Sequence, residues 1–139
     1  MTNISDDKFQ ILSCEHSEIP DTLATYDCGI VMVETSYWRR VCSPTKMGEY
    51  LASGLPVISL EGIDAIDELA NRTACVTTIS PEELQSHFQE ERAQQILSFI
   101  KSTGVAQKCK ILAKDEFNLE IAGNLYVELY SEMEACISQ

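Results

Sequence analysis

Residues 43–58 read Ser-Pro-Thr-Lys-Met-Gly-Glu-Tyr-Leu-Ala-Ser-Gly-Leu-Pro-Val-Ile. Helical positions three and four apart share a face, so Thr45, Lys46, Glu49 and Ser53 fall on one side. Met47, Leu51 and, more loosely, Tyr50 fall on another. A helix start presents unpaired N–H groups and a partial positive charge, which together suit a phosphate. Lys46 in the first turn opposes the macrodipole, which is unfavourable for the helix and favourable for an anion. Glu49, one turn further in, can accept two hydrogen bonds from a vicinal diol such as a ribose. Phosphate at the helix tip and a carboxylate for the sugar suit a nucleotide. The same spacing also fits an exposed helix with a weak Lys46–Glu49 pair.

Other residues with chemical potential are less well arranged. Six cysteines, at positions 14, 28, 42, 75, 109 and 136, show no C-x-x-C spacing, and His16 and His87 are the two histidines. A zinc site is therefore not expected, and free thiols in a reducing compartment are. Cys28 and Cys75 lie within or beside strand-like runs, as small buried hydrophobes do. The fragment Cys14-Glu15-His16 offers a nucleophile and a base, but neighbours on a strand point to opposite faces and no orienting partner is evident.

The elements that must position the 43–58 stretch follow from the pattern around it. The chain has 139 residues, is 45% hydrophobic and 23% charged, and fits one domain. Phe9 to Leu12 reads as a strand, Ile19 to Ala24 as a short helix with Pro20 near its start, and Cys28 to Val33 as a strand buried on both faces. Residues 34–42 form a loop, after which Ser43 caps a helix with Pro44 at its first position. Gly54 ends that helix and Pro56 prevents its continuation. Val57 to Leu60 and Ala74 to Ile79 are further strands around a short helix, Ile63 to Asn71. Ser80-Pro81-Glu82-Glu83 is a capping box opening a long helix with Leu84, Phe88, Ile96, Leu97 and Ile100 as its apolar stripe. Gly104 closes it, and helices over 105–116 and 119–137 complete the chain. Strands alternating with helices predict an α/β fold: a Rossmann-like parallel sheet of about four strands with helices on its faces, and a helical C-terminal tail packed on the sheet. Ligands in such sheets bind beyond the carboxyl ends of the strands, where the 34–42 loop lies.

The net charge of −12 argues against a nucleic-acid surface while leaving room for a local basic pocket. No stretch reaches the roughly 18 apolar residues of a membrane span, and the polar, acidic start is unlike a signal peptide, so the cytoplasm is expected.

Ser43-Pro44-Thr45-Lys46, Gly48-Glu49-Tyr50-Leu51-Ala52 and Gly54-Leu55-Pro56-Val57-Ile58 resemble the donor-binding signature of glycosyltransferases of the GT-B fold, family 4 type. Ile19-Pro20 through Tyr26-Asp27-Cys28-Gly29-Ile30 is similar to that family's lead-in, and Glu120 to Glu132, with Tyr126 and Tyr130, to its closing helix. The resemblance covers about residues 8 to 135 and is most specific in the 43–58 core. It implies part of a GT-B donor domain, the nucleotide-sugar half of a two-domain enzyme. Glu49 would hold the donor ribose, with Ser43, Thr45 and Lys46 near the diphosphate and Arg39 or Arg40 contributing from the preceding loop. Tyr37 and Trp38 are either ordinary loop hydrophobes or a wall of the site. The implied donor is a nucleoside diphosphate sugar, with no cofactor and no metal required, and transfer would proceed with retention.

Two departures from the family pattern stand out. Many members carry a second glutamate eight positions before the ribose-binding one; here Val41 stands there. The N-terminal acceptor domain, and the opening of the donor domain with its glycine-containing loop and basic residue, have no counterpart in these residues. A partial donor domain would not catalyse alone, because positioning supplies much of the rate. The implied partners are thus the donor and the missing acceptor domain, with no nucleic acid; peripheral membrane association of the full enzyme and homo-oligomers are compatible with the family. The competing expectation is a non-catalytic glycosyltransferase-like module that pairs with a partner or itself through an open sheet edge.

Overall fold

The computed structural model describes residues 8–33, 45–85 and 89–137. Within them three strands, β1 (Gly29–Val31), β2 (Val57–Leu60) and β3 (Val76–Ile79), form a parallel sheet in the order β1-β2-β3. The helices are α1 (Ile19–Leu23), α2 (Thr45–Ala52), α3 (Asp64–Arg72), α4 (Pro81–Gln85), α5 (Glu90–Ile100), α6 (Val105–Glu116) and α7 (Leu119–Ile137). None of the described helices is long and apolar enough to cross a membrane.

The register places Gly29 beside Val57 and Val57 beside Val76. Alternation then puts Val31, Val57 and Val76 on one face and Ile30 and Ile58 on the other. Both crossovers step the same way across the sheet, and right-handed connections place α2 and α3 on a single side. The buried cluster agrees. Met47 and Leu51 of α2, Ile66 and Leu69 of α3, and Val105, Cys109 and Leu112 of α6 meet the three strand valines. Ser59 is fully buried in the central strand, and its hydroxyl donates to the Val31 carbonyl at 2.9 Å, so no polar group is stranded there. On the opposite face Ile30 and Met32 remain 55% and 44% exposed.

Three expectations are corrected. Phe9 to Leu12 form no strand among the described residues. Ile11 is 88% exposed, and a four-residue apolar run without a neighbouring ladder has nothing to bury against. The sheet therefore has three strands, not four. The long helix predicted from Ser80 is two helices, α4 and α5, with residues 86–88 outside the described set. The capping box itself is present: Glu83 N–H donates to Ser80 Oγ at 3.1 Å and Ser80 N–H to Glu83 Oε2 at 2.9 Å.

The C-terminal helices divide in role. α6 packs its apolar side on α2. α7 does not pack on the sheet as expected. Its described side chains from Leu119 to Cys136 are all exposed, including Leu125, Tyr126, Leu129, Tyr130 and Met133. Its stripe is amphipathic in pattern, but none of its described side chains is buried.

Candidate functional site

α2 presents the two faces that its spacing predicts. Met47 and Leu51 are 1% and 0% exposed in the core, whereas Thr45 and Lys46 are exposed and Glu49 is half-buried. The helix stops in a Schellman turn. Gly54 takes φ +86°, its N–H donates to Leu51 O, and Leu55 N–H donates to Tyr50 O, both at 2.9 Å. At its other side Tyr50 closes over β1. A Cβ on Gly29 would lie 2.9 Å from the Tyr50 Cβ and closer still to the ring, so the strand approaches the helix where a side chain is absent.

Lys46 Nζ donates to Glu49 Oε2 at 2.8 Å. This hydrogen bond and the carboxylate's charge raise the Lys46 pKa above its ordinary value. Glu49 Oε1 accepts nothing among the described residues and is available to a ligand. The residue next along this face, Ser53, donates its hydroxyl to the Glu49 carbonyl at 2.9 Å. The first turn of α2 contains no acid, leaving Lys46 as its charge.

Two cavities flank this face. One, of about 510 Å³, lies between α1 and α2 and is walled by His16, Ile19, Pro20, Leu23, Glu49, Ser53 and Lys110. The other, of about 1130 Å³, lies between α2 and the α6–α7 junction, with Thr45, Gly48, Glu49, Lys110, Lys114, Phe117, Asn118 and Tyr126 around it. Glu49 and Lys110 belong to both, so the two are lobes of one groove that share a carboxylate and an ammonium at their divide. Both lobes are mostly apolar; Lys110 stands at their divide, and the larger lobe adds Lys114. No strand residue lines either lobe, so the groove follows the outer side of α2 and not the strand tips.

The predicted site residues are therefore partly brought together. Thr45 and Glu49 share the larger lobe, and Lys46 reaches Glu49 without lining a lobe. Ser43 and Arg40 lie outside the described residues, as do Arg39, Val41, Tyr37 and Trp38. Cys14 is exposed, and no hydrogen bond joins it to His16 among the described residues. His16 instead walls the smaller lobe. Sequence reasoning did not single out Lys110, Lys114 or Asn118. Their signal is the spacing i, i+4, i+8, which sets them in a row on α6 and just past its end.

A separate hollow of about 330 Å³ beside α3 is acidic, lined by Glu61 and Asp67. Asp67 Oδ2 accepts the Gly62 N–H at 2.8 Å, while its buried Oδ1 has no partner. No family model matches the chain, and neither a curated protein nor a solved structure matches it.

Proposed function

We propose that this chain is the donor-binding part of a glycosyltransferase that moves a sugar from a nucleoside diphosphate to an acceptor. The observation that carries the reading is Glu49, half-buried at the divide of a two-lobed groove with one carboxylate oxygen free. A ribose diol donating to that carboxylate makes two charge-assisted hydrogen bonds. The base then occupies the smaller apolar lobe, against Ile19 and Leu23 with His16 at its rim. The diphosphate extends into the larger lobe beside Thr45 at the start of α2. In an intact enzyme, cations and helix amides around the departing diphosphate stabilise the charge that develops as the glycosidic bond breaks.

The test is calorimetric titration of the 139-residue chain with UDP- and GDP-sugars. Saturable binding is expected with at least one of them, weakened at least about tenfold in Glu49→Ala, the loss of one to two charged hydrogen bonds. Absence of binding at millimolar ligand overturns the reading. A second reading, a non-catalytic interaction module, has its own support in the exposed apolar side chains of α7 and the open Ile30–Met32 face. The nucleotide titration separates the two, since such a module has no reason to depend on Glu49.

A further inference from the structure

We propose that the anion of the bound ligand is held by α6, through Lys110 and Lys114, with the Asn118 amide completing a row of donors. The proposal rests on the donor-site reading for the identity of the ligand, a nucleoside diphosphate, but its cations and amide lie outside the 43–58 signature.

Among the described residues three cations are ion-paired, and of the rest Lys110 and Lys114 are the ones that line a cavity. Lys46 pairs with Glu49, Arg72 with Glu68 and Glu116, and Arg92 with Glu83. Lys110 and Lys114 pair with no carboxylate among the described residues, although both face the same cavity. They lie one turn apart on one helix face, where like charges repel and weaken the helix. The helix dipole favours Lys114 in the last turn of α6, and an anion in the cavity that both side chains line would relieve the repulsion between them.

The surroundings fix where these cations point. Lys110 crosses the end of α2 over Gly54, where a Cβ would come within 3.0 Å of its Cε and 3.3 Å of Ala106 O. The missing side chain lets the lysine stem pass and brings it to the divide beside Glu49. Lys114 lines the larger lobe and not the smaller one. One turn on, Asn118 Oδ1 accepts the Glu120 N–H at 2.8 Å, which leaves its NH₂ for a ligand. Two ammonium groups and an amide in a row suit an extended anion better than a single phosphate. The carboxylate at one end of the row and the cations along it match a ribose followed by its diphosphate.

The experiment is calorimetry on the full 139-residue chain with inorganic pyrophosphate, UDP, GDP and the two parent nucleosides. The variants are Lys114→Met, Lys110→Met and Lys110→Arg, all keeping the aliphatic stem and checked for folding by circular dichroism. Lys114 is exposed, so its replacement leaves the fold in place. Expected is a loss of tenfold or more in pyrophosphate and diphosphate affinity in each Met variant, unchanged nucleoside affinity, and recovery in Lys110→Arg. Diphosphate binding equal to wild type in both Met variants overturns the proposal and leaves the donor reading standing. Lysine-dependent pyrophosphate binding with no gain from an attached nucleoside sinks the donor reading and keeps the anion site. A wild-type chain that binds none of the probes at millimolar concentration overturns both.

Discussion

Glu49 has two oxygens, and Lys46 engages one of them. That exposed pair contributes little to stability, as surface ion pairs do, so its geometry matters more than its strength: it orients the carboxylate with the second oxygen open. Gly29 is the residue on which the same helix depends from the other side, because Tyr50 fills the space a β-carbon would take. Gly29→Ala forces the ring or the strand to move within a packed layer. A loss of about 1–3 kcal/mol is expected, the usual penalty for overpacking, read as a lowered urea midpoint with an unchanged slope. An unaltered midpoint would show that Tyr50 has a second rotamer ready.

At the scale of elements, α2 and α6 form the unit that matters, since the core side of their contact fixes the groove on the outer side. Much of this was legible in the sequence. The spacing of Met47 and Leu51 gave the buried face, Gly54 and Pro56 the helix end, and the α6 and α7 ranges agree with their patterns. Lys110 was not legible as a site residue, because it lies some sixty positions from Glu49 and only packing brings them together. The misread strand at Phe9 to Leu12 failed for a related reason: local pattern does not supply a ladder partner. The capping box of α4 was legible and carries a pH dependence. The Ser80 N–H, and then the Arg92 guanidinium, hold the Glu83 carboxyl below its usual range. A depressed carboxyl contributes stability above its unfolded pKa and loses it as pH falls through the lower folded value. The stability gap between wild type and Glu83→Gln should therefore be constant at neutral pH and close on acidification from about pH 5 downward. Ser80→Ala, which removes the hydroxyl half of the box, should cost about 1 kcal/mol at neutral pH. A gap that persists at pH 2 in denaturant titrations would refute the capping account.

For the whole molecule, the layered core ends with α6, and α7 adds length without burial. Ending the chain after Asn118 should remove helical circular-dichroism signal while shifting the thermal midpoint by less than about 2 °C, the range of a surface change. A fall of about 10 °C or more would mean that α7 shields the core. The same truncation takes Leu119 and Tyr126 from the larger lobe, so ligand affinity should suffer where stability does not. The centre of the layered core carries a different kind of consequence. Cys109 and Cys75 are both buried there, and burial, followed by a hydrogen bond to Cys75, pushes the Cys109 thiol well above the ordinary thiol range. Nucleophilic thiolate is thus scarce in the closed molecule and restored when α6 lifts from α2. The pair acts as a clock: the rate at which an alkylating reagent consumes Cys109 measures how often this layer opens, and a ligand bridging Glu49 and α6 would slow it.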